Sequence, residues 1–246
     1  MPESPLAGQV ALITGAAKRI GRSIALRLAS EGADIVVNYE NSKSDAEEVV
    51  AKITASGRRA AAIQGDVSKK ADVTKLFAAI EKEFSRLDIL VNNAGTFFAA
   101  DFETLTEEQW DRIMNTNLKA QFLCAQAAIP LLRRSPSPQA HIVNISSLGG
   151  ILAWPAFTHY CVSKAGVIHL TKCLARGLAP KILVNSVAPG TIQFPGEAPD
   201  EDYIKRTPVH RTGTGEDIAD AVAFFVKSNF VTGQILAVDG GRMVAQ

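Results

Sequence analysis

Short apolar runs rich in β-branched residues alternate with longer stretches whose apolar positions recur every three or four residues, from end to end of the 246-residue chain. The short runs predict strands at 10–14, 35–38, 60–64, 89–91, 141–145, 182–187 and 235–238. The longer ones predict helices at 21–30, 44–56, 69–84, 107–132, 160–178 and 216–226. Such alternation builds βαβ units, and right-handed crossovers put helices on both faces of a parallel sheet. The expected fold is α/β: a Rossmann-type doubly wound parallel sheet of about seven strands, forming one domain over residues 1–246.

No linker divides the chain, since residues 133–139 (RRSPSPQ) read as a turn-rich connection between a helix and a strand. Only residues 190–215, interrupted by Pro195, Pro199 and Pro208, resist assignment. A long irregular segment that follows a strand end on the ligand side of such a sheet is a candidate substrate-binding loop.

Composition narrows the class. Hydrophobic residues make up 47% and charged residues 21%, with a formal net charge of +1, which favours a packed globule over a disordered or nucleic-acid-coating chain. Cys124, Cys161 and Cys173 lack metal-ligand spacing and are odd in number, so no disulfide framework is expected and a reducing, cytoplasmic setting fits. The opening MPESPLAG lacks the basic and apolar regions of an export signal, and no apolar run is long enough to predict a membrane span. His141, His159, His169 and His210 form no HExxH-like group; they read as structural or surface residues, and no metal site is expected.

The residues that point to chemistry lie between 147 and 164. Tyr160 and Lys164 are four apart, so on a helix they share a face, and a neighbouring ammonium is expected to lower the phenol's pKa. Tyr160 would then be a usable general acid, with the hydroxyl of Ser147 thirteen residues upstream as a second donor to the same oxygen. Directly after the first predicted strand, Thr14-Gly15-Ala16-Ala17-Lys18-Arg19-Ile20-Gly21 opens a helix. Unpaired amides and the helix dipole make such a turn an anion site, and a dinucleotide pyrophosphate is its natural occupant.

Further motifs follow in order: Asn92-Asn93-Ala94-Gly95, Asn115-Thr116-Asn117-Leu118, Asn144-Ile145-Ser146-Ser147, Tyr160-x-x-x-Lys164, Pro189-Gly190-Thr191 and Val238-Asp239-Gly240-Gly241. With the glycine turn they make the chain resemble the short-chain dehydrogenase/reductase family over nearly its whole length. The resemblance implies a cofactor cleft in which Gly15, Lys18, Arg19, Ile20 and Gly21 meet the phosphates and Asp66 and Val67 flank the adenine. Asn93, Ala94 and Gly95 would line it, Pro189, Gly190 and Thr191 would meet the nicotinamide, and Tyr160 and Lys164 its ribose.

Family members that use NAD carry an acid at the tip of the second strand, where this chain has Tyr39; Lys18, Asn41 and Ser42 can instead meet a 2′-phosphate. NADP(H) is the expected cofactor, with Glu40 the one residue that would weaken the preference if it turned inward. The implied reaction is hydride transfer to C=O or C=N. Tyr160 would supply the proton, Ser147 bind the substrate oxygen, and Asn117 support a water-mediated proton path through a local break in its helix.

Two residues depart from the usual pattern. Arg19 replaces the middle glycine of the turn, and Phe97 follows Ala94 by three; both resemble the pteridine reductases, where they contact cofactor and pterin. Ser147 instead matches the ketone reductases. The expected activity is NADPH-dependent reduction of a 3-oxoacyl thioester or small ketone. The alternatives are a pteridine (dihydropterin) reductase and, in another class, a non-catalytic NADP(H)-binding redox sensor. Relatives pair the helices that here carry Ala120, Ala125, Ala127, Ala128 and Ala165, so a homotetramer is expected.

Overall fold

In the computed structural model, which describes residues 4–245, seven parallel strands form one sheet in the order β3-β2-β1-β4-β5-β6-β7. Residues 1–3 of the opening segment, and residue 246 at the far end of the predicted domain, lie outside the described residues. The strands are β1 (Val10–Ile13), β2 (Asp34–Tyr39), β3 (Ala60–Gln64), β4 (Ile89–Asn92), β5 (Ala140–Ile145), β6 (Ile182–Pro189) and β7 (Ile235–Val238). Between them run α1 (Arg19–Ser30), α2 (Lys43–Ala55), α3 (Lys70–Phe84), α4 (Glu107–Met114), α5 (Ala120–Arg134), α6 (Thr158–Leu178), α7 (Glu201–Arg206) and α8 (Gly215–Lys227).

Strand parity divides the core into two layers. In β1, Ala11 and Ile13 pack with Ile24 and Leu28 of α1, Val49 and Ile53 of α2, and Ile218, Val222 and Phe225 of α8. Val10 and Leu12 face the other way, against Leu76 and Ile80 of α3 and Leu123, Leu131 and Leu132 of α5. Covering both faces explains why the strands read as nearly unbroken apolar runs. The strand order reverses between β1 and β4, which opens a crevice beyond their carboxyl ends.

The predicted strands and helices differ from these by a residue or two at their ends, apart from two segments. The expected single helix at 107–132 is interrupted by a π-helical turn, Asn115–Lys119, before α5 continues to Arg134. The expected irregular loop at 190–215 contains α7, whose N-terminus is capped by Asp200 accepting from the Tyr203 amide at 2.9 Å, and a parallel bridge from Ile192 to Gly213. Prolines on either side of α7 hide its pattern, but the Asp200 cap and the acidic-to-basic run Glu201-Asp202 to Lys205-Arg206 suit a short helix. No described helix is long and apolar enough to cross a membrane.

His141 and His159 are buried, whereas His169 and His210 are exposed. His141 lies in β5 with its Nδ1 unpartnered, and burial pushes its pKa down to about 4. The unfolded chain therefore binds a proton that the folded chain refuses as pH falls from 6.5, so stability drops by up to about 1.4 kcal/mol per pH unit until about pH 4. Melting temperatures of the wild type and His141→Leu, measured from pH 7 to 4, should diverge as the solution acidifies, with the wild type losing more; parallel curves would exclude the effect.

Candidate active site

The crevice at the strand ends is a cleft of about 1240 Å³. Its floor is a polar layer tied together by side chains. Thr14 Oγ1 accepts from the amides of Asn93 (2.9 Å) and Ala94 (3.0 Å), and Asn93 Nδ2 donates to the carbonyls of Thr14 (2.9 Å) and Gly15 (3.1 Å). These bonds lock the end of β4 to the glycine turn. Asn92 donates to Asn144 and Asn144 to Thr171, each at 2.9 Å, which extends the layer to α6.

The turn itself suits a diphosphate. Gly15 sits at φ +61°, and a Cβ on Gly21 would come within 2.6 Å of Asn93 Nδ2, so the backbone approaches β4 only because that atom is missing. No side chain caps the N-terminus of α1, which leaves its first amides and its dipole open to the cleft. Arg19 takes the left-handed conformation at φ +54°, which an L-residue adopts at a cost of about 1 kcal/mol. Its guanidinium pairs with Glu197 at 2.5 Å and lies 4.2 Å from the centre of the Phe194 ring. Lys18 pairs with Asp45 at 3.1 Å.

At the other end stand Ser147, Tyr160 and Lys164. The Lys164 ammonium is buried and donates to the Ile145 carbonyl at 2.9 Å, with its pKa pushed down to about 8 by burial. A Cβ on Gly150 would lie 2.7 Å from the Lys164 carbonyl, so the chain after Ser147 packs directly on the backbone of α6. Asn117, within the π turn, accepts from the Thr96 amide (2.8 Å) and donates to the Thr96 carbonyl (3.0 Å) and to Ser163 Oγ (3.2 Å). It holds the segment after β4 that carries Gly95 and Phe97 rather than lining the cleft.

The pKa of Tyr160 corrects the expectation. Burial raises it, and hydrogen bonding from Ser147 opposes that rise. Lys164 does not lower it: the ammonium is 5.8 Å from the ring centre and is spent on Ile145. The expected Asp66 carboxylate is on the wall; burial raises its pKa, but Ser68 and Lys69 hold it below the usual range.

Most of the sequence-predicted residues meet here. Ser147, Tyr160, Lys164, Phe97, Asn41, Asp66, Val67, Asn93, Ala94, Gly95, Pro189, Gly190 and Thr191 line the cleft, as do Gly15 and the run from Lys18 to Gly21. Tyr39 and Ser42 do not. Tyr39 shares strand parity with Ile35 and Val37, so its ring goes into the core, and Asn38 and Glu40 face the cleft in its place. Period-two alternation could have revealed this. Trp154, Leu152 and Phe194 also line the cleft and carried no motif. No cluster of His, Cys, Asp or Glu among the described residues could hold a metal ion.

A family model described as enoyl-(acyl carrier protein) reductase matches residues 15–242. The 3-oxoacyl-[acyl-carrier-protein] reductase FabG of Staphylococcus epidermidis is 41% identical over 94% of this chain and 97% of its own. The chain belongs to the short-chain dehydrogenase/reductase family. Among solved structures of the family, a short chain dehydrogenase of Burkholderia cenocepacia in complex with NADP superposes with a TM-score of 0.90 at 37% identity, covering 97% of this chain and 99% of that one. A blue fluorescent protein from a metagenomic library, in complex with NADPH, gives 0.89 at 35% identity, with 97% and 99% covered. Short-chain dehydrogenase/reductase membership makes the protein an oxidoreductase. The pteridine-reductase-like residues gain no such support: Arg19 is engaged by Glu197 and Phe194, and Phe97 stacks on Phe157.

With no cofactor present, the Tyr160 phenol should titrate above the ordinary pKa of about 10. The difference in 295 nm absorbance between wild type and Tyr160→Phe, followed from pH 8 to 12, checks this. A phenolate appearing below pH 9 would contradict it.

Proposed function

We propose that the protein is an NADPH-dependent reductase of carbonyl compounds, acting on a 3-oxoacyl thioester or small ketone. The observation that carries this reading is the convergence of Ser147, Tyr160 and Lys164 at one end of a cleft whose other end is the glycine turn. When bound, the reduced nicotinamide supplies the hydride. Tyr160 is protonated at neutral pH and stands in the cleft to donate as charge develops on the acceptor oxygen. Ser147 donates a hydrogen bond to the same oxygen, and the Lys164 ammonium, held by Ile145, is assigned to the nicotinamide ribose. Asn117 acts through Thr96, fixing the segment beside them.

NADP(H) is supported by the two relatives that carry it and by Lys18 at the mouth of the adenosine end. Glu40 and Asp45 stand close by, which tempers the preference without reversing it. Residues 190–215 are assigned to closing the substrate side, since Ile192, Phe194 and Tyr203 face the cleft. Pteridine reduction is the second reading, favoured only by Arg19 and Phe97 lining the same cleft. A homotetramer is supported by Phe122 on α5 and Val162 on α6, apolar side chains left exposed on the two helices expected to pair.

The test is NADPH oxidation with acetoacetyl thioester and with dihydropterin. Thioester turnover is expected, with a higher kcat/KM for NADPH than for NADH, and Tyr160→Phe should lower kcat about a hundredfold or more while NADPH still binds. Turnover of dihydropterin alone would replace the reading. Light scattering should give the mass of four chains, and a one-chain mass would exclude the tetramer.

A further inference from the structure

Four aromatic rings, that of Tyr160 among them, close on one another. Phe97 stacks on Phe157 with centroids 4.6 Å apart and planes 4° from parallel, and its ring meets Tyr160 edge-on at 4.7 Å and 77°. Trp154 lies parallel to Tyr160 at 6.3 Å and 8°, and edge-on to Phe157 at 6.1 Å and 80°. Each ring is fixed by two neighbours at distances where aromatic pairs attract. The backbone makes room for them: a Cβ on Gly149 would come 2.9 Å from Trp154 Cζ3 and 3.1 Å from Tyr160 Cε1. A hydrogen bond from the Ala100 amide to the Ala156 carbonyl, 2.9 Å, joins the two loops that carry the rings.

Phe157 is the backing of this group, whereas Phe97, Trp154 and Tyr160 face the cleft, with Leu152 beside them. Phe97 remains 55% exposed, an apolar ring stacked on Phe157 and otherwise open to the cleft. An acceptor oxygen that reaches the Tyr160 hydroxyl brings the groups on its carbon against the two rings touching Tyr160. Those rings offer π-faces and edges and no charge.

Resting on the carbonyl-reductase reading above, we propose that the acceptor side of the cleft selects ketones bearing an aryl group on the reacting carbonyl, with Phe97 and Trp154 as the specificity-determining residues. A flat ring gains from edge and offset contact with both, beyond the area it buries, where a short alkyl chain gains only area. A pterin is flat as well, but the Phe97 ring and Leu152 offer its polar edges no hydrogen-bond partner.

Ethyl benzoylacetate and ethyl acetoacetate differ only in phenyl for methyl on the reacting carbonyl, and their kcat/KM ratio with NADPH is the readout. The wild type should favour the benzoyl ester although conjugation makes its carbonyl less electrophilic. Trp154→Ala and Phe97→Ala should each lower the ratio by roughly three- to tenfold. A ratio taken within one variant does not depend on the fraction folded, and Trp154→Leu, which keeps much of the volume, should also lower it. A wild-type preference for the methyl ketone, or a ratio unmoved in both alanine variants, overturns the inference. Turnover of acetoacetyl thioester with neither ester reduced overturns it while sparing the carbonyl reading; no turnover of any of the three sinks both.

Discussion

The segment after β5 lies directly on the backbone of α6, and the site depends on that close approach. Gly150 permits it, since a side chain there would collide with the Lys164 carbonyl. Its result is that Lys164 reaches the Ile145 carbonyl, Ser147 comes within hydrogen-bonding reach of Tyr160, and Trp154 settles beside the same ring. A buried ammonium without that carbonyl would be left unsolvated, so the bond that shapes the site also makes the burial tolerable. The lowered pKa of Lys164 is the residue of that cost.

At the far end of the cleft the same logic works through absent atoms and open amides. Gly21 lets α1 start hard against Asn93, and Thr14 and Asn93 cross-link β1 to β4 where the strand order reverses. Fixed in this way, the uncapped amides of α1 are aimed before any ligand arrives, which spares the ordering cost on binding. Arg19 extends the turn toward the segment after β6 by pairing with Glu197. Both side chains are substantially exposed, and an exposed ion pair contributes little, so an incoming phosphate can compete for the guanidinium. Both ends are therefore held by hydrogen bonds, and the glycine-turn end adds a contact that solvent and ligand can exchange.

Much of this was legible in the residues. Alternating apolar runs and helical periodicity gave the seven strands and all helices but α7, with α4 and α5 read as one, because burial on both sheet faces writes itself into the sequence at a fixed period. The motifs from Gly15 to Thr191 named most of the cleft, because four of them follow or close parallel strands and all such ends lie on one side. Tyr39 was misplaced although the evidence was local: it shares the parity of Ile35 and Val37. The break at Asn117 was expected and takes the form of a π turn, which frees its side chain to hold Thr96.

The chain by itself determined the fold class, the place of the cleft and the candidates for proton chemistry, since periodicity and the order of the motifs are local. Tertiary structure decided what no local pattern contains: which charge reaches which oxygen and which rings meet. It gave Lys164 to Ile145 rather than to the phenol, engaged Arg19 with Glu197, and gathered Trp154 and Phe157 around Tyr160 and Phe97. Those outcomes rest on distances between residues far apart in sequence, and on burial that raises or lowers a proton's affinity only once the chain has closed around it.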